Sequence, residues 1–228
     1  MKPGEDAPPQ SQEYDIERAG RDLRDIYEKA ASQPELKKSL DLFGFKIFNS
    51  PPVSRPEILF IGYQPGGGDA EWRYERSRES HKIWPSEVEY RVASWALAVN
   101  IREIFSNTEV DLRKTVGMNA LFVRAPSVEV FKSKFSKLER DNIKNFCIEE
   151  AKSIVKFLQP KIIVAIGLGT LDLFGKSKPD LVGARNRQLA ATGSIEGIKT
   201  LGVIHLTGAR ISKLDRESLY NHIRGYFR

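Results

Sequence analysis

Five apolar residues in a row, Ile162-Ile163-Val164-Ala165-Ile166, stand between Gln159-Pro160 and Gly167. A run this short and unbroken leaves no polar face for solvent. Bounded by turn residues, it reads as a strand buried on both faces of a parallel sheet. A second run, Ile58-Leu59-Phe60-Ile61, lies between Arg55-Pro56-Glu57 and Gly62 and has the same character. Val116 to Val123 and Leu201 to Leu206 supply two further strands. Helical patterns separate them. Ser86-Glu87-Val88-Glu89 reads as a capping box opening a helix to about Phe105, with Val88, Val92, Trp95, Ala96, Val99 and Ile104 on its inner face. Ser136-Lys137-Leu138-Glu139 opens another, reaching about Leu158. A helix over Leu168 to Phe174, a polar loop through Asn186 and a turn over Gly193 to Gly197 precede the last strand. Ser212 and Asp215 cap the closing helix. This alternation predicts a three-layer α/β/α sandwich around a mostly parallel, four-stranded sheet with right-handed crossovers.

Ahead of the first strand, residues 1–12 are rich in Pro, Gln, Ser and Asp and read as a disordered tail. Residues 13–50 form a helical amino-terminal arm. An apolar stripe of Tyr14, Ile16, Ala19, Leu23, Ile26 and Tyr27 marks one helix, Pro34 starts a shorter one, and Phe43, Phe45, Ile47 and Phe48 pack the arm onto the body. Residues 51–228 form the α/β domain, with neither internal repeats nor a linker-like interior segment.

Cys147 is the sole cysteine, which rules out an intrachain disulfide and any metal or iron–sulfur site built from several cysteines. No cofactor is expected. Met1 to Asp6 lacks the apolar core of a signal peptide, and no run approaches the roughly 18 residues of a bilayer span. A reduced, soluble, monomeric protein of the cytoplasm (or nucleus, in a eukaryote) is expected, with no membrane partner. Thirty-six basic against 30 acidic side chains leave a net charge of +6 and a pI near 9.3, which suits a polyanionic partner.

In an open parallel sheet, ligands bind beyond the carboxyl ends of the strands. Three of those ends are polar here. Tyr63-Gln64-Pro65-Gly66-Gly67-Gly68 follows the first strand, and its glycines allow backbone N–H groups to approach an anion closely. Asn119 lies in the second strand, where a buried amide is costly unless hydrogen-bonded. His205-Leu206-Thr207-Gly208 follows the last. The charged stretch 69–82 places Trp72, Tyr74 and His81 within reach of a ligand at the glycines.

These motifs resemble the uracil-DNA glycosylase superfamily. Ile61-Gly62-Tyr63-Gln64-Pro65-Gly66 is similar to its first motif, a hydrophobic strand entering Gly-x-(Asp/Asn/Ala)-Pro-(Gly/Tyr). Met118-Asn119-Ala120-Leu121-Phe122 resembles its strand with a base-reading asparagine. His205 to Ser212 resembles its second, His-Pro-Ser-type motif. The segment Ala151 to Gly167 is closest to the iron–sulfur branch, whose four-cysteine cluster this chain cannot build. The resemblance covers about residues 55–212. Gln64 departs from it at the water-activating position, and the second motif lacks its proline and first serine.

The resemblance implies a DNA partner and hydrolysis of the N-glycosidic bond of uracil or a related damaged base after the base is flipped from the duplex. Gln64 and His205 would be catalytic, the first orienting water and the second donating to the departing base. Tyr63 and Asn119 would bind the base, and Trp84 and Phe122 are both candidates to stack on it. Gly66, Gly67, Gly68, Thr207, Gly208 and Arg210 would contact DNA. The alternative is a catalytically silent relative that binds nucleic acid or a free nucleobase. A Rossmann-type nucleotide enzyme is disfavoured because Gly-x-Gly-x-x-Gly spacing and a Walker lysine are both missing.

Overall fold

A computed structural model describes residues 16–65, 84–207 and 210–227. Gly66, Gly67, Gly68 and Gly208, together with Trp72, Tyr74 and His81, lie outside the described residues.

The architecture is α/β. Six strands, β1 (Ile58–Gly62), β2 (Thr115–Asn119), β3 (Ile162–Ile166), β4 (Lys178–Val182), β5 (Gln188–Ile195) and β6 (Ile198–Val203), form one mixed sheet in the order β2-β1-β3-β6-β5-β4. The first four in that order run parallel, while β5 is antiparallel to both its neighbours. The sheet is therefore wider than the four strands expected, by the hairpin arm β5 and the edge strand β4. The sequence pattern expects a polar loop where β4 lies and, within β5, only the turn from Gly193, each for a physical reason. Pro179 and two charged residues occupy β4, which Pro tolerates only because it is an edge. In β5, Ala190, Ala191 and Gly193 carry little β-propensity. The smallness of Gly193 serves packing, because a Cβ there would meet Leu171 at 3.2 Å, and the same leucine would meet a Cβ on Gly202 of β6 at 2.7 Å. The turn is only Glu196-Gly197, both at positive φ, the geometry of a two-residue hairpin.

Helices cover both faces. Leu59, Ile61, Val116, Met118, Ile163 and Ala165 point to one side, toward α1 (Ile16–Ala31), α2 (Pro34–Phe43), α6 (Lys137–Leu158) and α7 (Leu168–Asp172). Ile58, Phe60, Ile162, Val164, Ile166, Leu201 and Val203 point to the other, toward α3 (Glu89–Val92), α4 (Ala96–Phe105) and α8 (Lys213–Gly225). Burial on both sides is what made β1 and β3 legible as unbroken apolar runs. A seven-residue helix, α5 (Val128–Lys134), capped by Ser127, follows the second strand. Among the described residues no helix is long and apolar enough to cross a membrane.

The capping box at Ser136 forms as read, with Glu139 Oε2 accepting from Ser136 N at 2.6 Å. The one at Ser86 does not form. Val88 is the residue before α3, and Ala93 and Trp95 adopt extended backbone, so the single helix expected there is two. Arg102 staples the break, its Nη1 donating to the carbonyls of Tyr90 (3.0 Å) and Ala93 (2.8 Å). The break also rephases the helix: Ala98, Ile101 and Ile104 face the core, whereas Val92, Trp95 and Val99, expected inside, are exposed.

The amino-terminal arm does more than pack. Residues 44–50 run antiparallel along the outer edge of β2. Asn49 N donates to Gly117 O, Asn119 N to Ile47 O, Lys46 N to Phe122 O and Arg124 N to Gly44 O. The edge strand's free backbone groups are thereby paired, which removes one of two open edges.

Candidate active site

The register fixes what the carboxyl edge presents. Asn119, Gly62, Ile166 and Val203 form one row across β2, β1, β3 and β6. Three inter-strand steps of about 4.8 Å put the ends of that row roughly 14 Å apart. Tyr63 and Gln64 extend one and two residues beyond the row, and His205 extends two beyond it at the far end. All three sequence-predicted strand ends therefore open on one edge.

On the β2 side the residues are tightly held. Asn119 is buried, and its Nδ2 donates to Lys46 O (3.1 Å) and, more weakly, to Ile47 O (3.5 Å). The arm's carbonyls thus satisfy the buried amide, and its oxygen lies over β1, since a Cβ on Gly62 would come within 3.2 Å of Oδ1. Parallel pairing continues past the strands, with Ala120 N donating to Gly62 O and Leu121 N to Tyr63 O, both at 2.8 Å. Gln64 Nε2 reaches Ala125 O at 3.5 Å, a weak bond that turns Oε1 away as an acceptor.

On the β6 side the residues are mounted on an exposed loop. Backbone Thr207 N lies 3.4 Å from His205 Nδ1, and Thr207 Oγ1 lies 3.0 Å from it. A backbone N–H can only donate, so Nδ1 accepts and the neutral ring carries its proton on Nε2. Desolvation by partial burial lowers the His205 pKa below 6.5, so the neutral form prevails at neutral pH. Asn100 on α4 holds this loop by donating to Leu206 O at 2.8 Å, and Arg187 Nη1 holds it from the other side by donating to Arg210 O at 2.5 Å. Arg210 and Thr207 are exposed, while neighbouring Ile211 is tucked against the core.

The aromatic candidates separate by burial. Phe122 is wholly buried, edge-on to Phe45 at 6.2 Å, with neither face open. Trp84 is half-buried, edge-on to Phe48 of the arm at 6.5 Å. Tyr63 is half-buried beside the first core cluster. Three contributors escaped sequence reasoning. Lys46 acts through its backbone carbonyl, which no side-chain pattern reveals. Arg187 sat in an aperiodic polar stretch. Asn100 did leave a signal, as a lone amide one residue from Ile101 in an apolar helix.

No protein-family model and no curated protein matches the chain. The described residues define an α/β protein whose sheet edge carries the Asn119 amide, Tyr63 and Gln64 at one end and a neutral imidazole, His205, at the other.

Proposed function

We propose that this chain is a DNA glycosylase on a uracil-DNA glycosylase-like scaffold, hydrolysing the N-glycosidic bond of uracil or a related damaged base. The observation that carries the reading is His205, neutral at neutral pH with its Nδ1 accepting from Thr207 N, on the same sheet edge as the Asn119 amide. Support also comes from the four parallel strands in the order β2-β1-β3-β6. A base rotated out of the duplex would enter between these two groups. With Nδ2 committed to the arm, Asn119 reads the base through Oδ1 alone. An amide oxygen accepts from a pyrimidine N3–H, which uracil has and cytosine lacks. Gln64 Oε1 accepts a hydrogen from a water and aims its lone pair at the sugar carbon. The carbon–nitrogen bond breaks, its electron pair leaves with the base, and His205 Nε2–H stabilises the charge that spreads to the ring oxygen. The water's proton departs to solvent, because an amide is no base at neutral pH.

One observation favours the competing reading of a silent nucleic-acid or nucleobase binder: Gln64 has no carboxylate to activate the water. Incubation with uracil-containing and mismatched duplexes, followed by alkali, decides between them. Strand breaks at the uracil support the glycosylase. Binding without breaks on any tested base leaves the silent binder.

A further inference from the structure

Two adjacent non-glycine residues, Arg185 and Asn186, have φ of +56° and +55° in the short turn Ala184–Asn186 that joins β4 to β5. L-residues rarely adopt this conformation, and such outliers persist where the surroundings over-determine them. The surroundings here are specific. Gly183 N donates to Arg187 O at 2.8 Å and Arg187 N to Ala184 O at 3.3 Å, closing the turn. Asp215 Oδ1 on α8 accepts from Ala184 N at 2.9 Å. Gly183 admits no side chain, because a Cβ there would collide with Asp215 and lie 2.6 Å from Leu189. Finally, Arg187 Nη1 bonds Arg210 O, so the turn and the His205 loop are one arginine side chain apart.

The turn also lies at the carboxyl edge. Strand β5 is antiparallel to β4 and to β6, so β4 points the same way as β6 and its exit emerges beside the His205 loop. The two loops and the start of α8 carry Arg185, Arg187, Arg210, Lys213 and Arg216. Against these stand Asp215, whose carboxylate accepts from Ala184, and Glu217, 3.8 Å from Lys213. The Arg185 and Arg210 side chains are exposed and make no hydrogen bond or ion pair among the described residues. Two cations held up by braced loops on one edge, with no anionic partner among the described residues, are complementary to a chain of phosphates.

We propose that the β4–β5 turn is a nucleic-acid backbone site, in which Arg185 contacts a phosphate flanking the one met by Arg210. The strained backbone aims Arg185 outward. The identity of the strand gripped, the one bearing the flipped nucleotide, rests on the glycosylase reading; the phosphate contact does not.

Arg185→Gly tests this because it removes the charge and relaxes the positive φ at once. Anisotropy of a labelled duplex between 50 and 200 mM salt should show affinity weakened about threefold to tenfold and a log–log salt slope shallower by about one. The melting temperature should hold or rise. Arg185→Lys should retain the wild-type slope. Unchanged affinity and slope in Arg185→Gly would overturn the proposal, as would wild type that ignores duplex DNA at 50 mM salt but binds anionic vesicles. The two readings fail separately. Wild type that cleaves uracil DNA, with Arg185→Gly binding like wild type, sinks the turn and spares the glycosylase. Wild type that never cleaves, with Arg185→Gly binding weakly, does the reverse.

Discussion

The two ends of the candidate site are built by opposite means. At the β2 end, Asn119 is buried, hydrogen-bonded to carbonyls of the amino-terminal arm and backed by continuous parallel pairing into Gly62 and Tyr63. At the β6 end, His205 rides an exposed loop fixed by two side-chain bonds, from Asn100 and Arg187. A buried amide that loses its partner strands a desolvated group, whereas an exposed imidazole can be deleted at little structural cost. On the glycosylase proposal, recognition at the β2 end would therefore be inseparable from stability, and chemistry at the β6 end separable from it.

The largest expected effect sits at the separable end. His205→Ala should slow single-turnover cleavage about 10²-fold, equivalent to about 2.7 kcal/mol of barrier, with the melting temperature shifted by no more than about 1 °C. A large melting shift with a near-normal rate per folded molecule would instead make His205 a structural residue. Asn119→Ala should fail on both counts, because it leaves the Lys46 carbonyl without its donor. A stability loss of about 1–3 kcal/mol is expected in denaturant titration, alongside the lost rate. Undiminished stability would erase the contrast between the two ends.

Acid should sharpen the comparison further. His205 has its pKa lowered in the fold, so the unfolded chain takes up the proton first. The stability that its neutral form contributes is complete above about pH 6.5 and is lost as pH falls through the lower, folded value. Cleavage (as kcat/KM) should be flat around pH 7 to 8 and decline by up to tenfold per unit below that folded value. In Asn119→Ser the acid limb should survive, since it belongs to the other end. A rate that rises on acidification would mean that the imidazolium, not the imidazole, is the active form. The smallest effect belongs to the part-buried pair of Lys46 Nζ and Glu89 Oε1, 3.0 Å apart, which pins the arm to α3. Lys46→Met should cost about 0.2–1 kcal/mol and leave cleavage intact, because Asn119 bonds the Lys46 backbone and not its side chain.

Sequence reading reached the strands whose signal is burial on two faces, and missed those whose signal is accommodation. Ile58–Gly62 and Ile162–Ile166 carry their environment in their composition. Gln188–Ile195 does not, because its Gly193 answers to Leu171, a residue of α7 that precedes β4. Similarly, the stripe through Trp95 looked continuous until Arg102 made a break in the helix affordable at Ala93. The polar strand ends were legible, since Gly62, Asn119 and His205 follow directly from strand boundaries. Their support was not, because it comes from backbone carbonyls of the arm and from Arg187 in a stretch with no period. Cys147 illustrates the same limit. It counted as one thiol in the sequence, but burial pushes its pKa up to about 12 and Phe122 N lies 3.5 Å from its sulfur, so native protein should resist thiol reagents until unfolded.

The arm's seam along β2 joins Lys46 to Asn119, 73 residues apart in sequence. During synthesis the arm therefore emerges well before the strand it will cover exists. Until the seam closes, two amphipathic helices wait with their apolar faces bare, and β2, once made, offers its unpaired side to whichever strand arrives first. A neighbouring nascent copy carries the same arm and the same vacancy. The chain thus holds the ingredients for exchanging arms between molecules, and crowding of newly made chains, more than any change at the polar strand ends, is the circumstance that would bring it about.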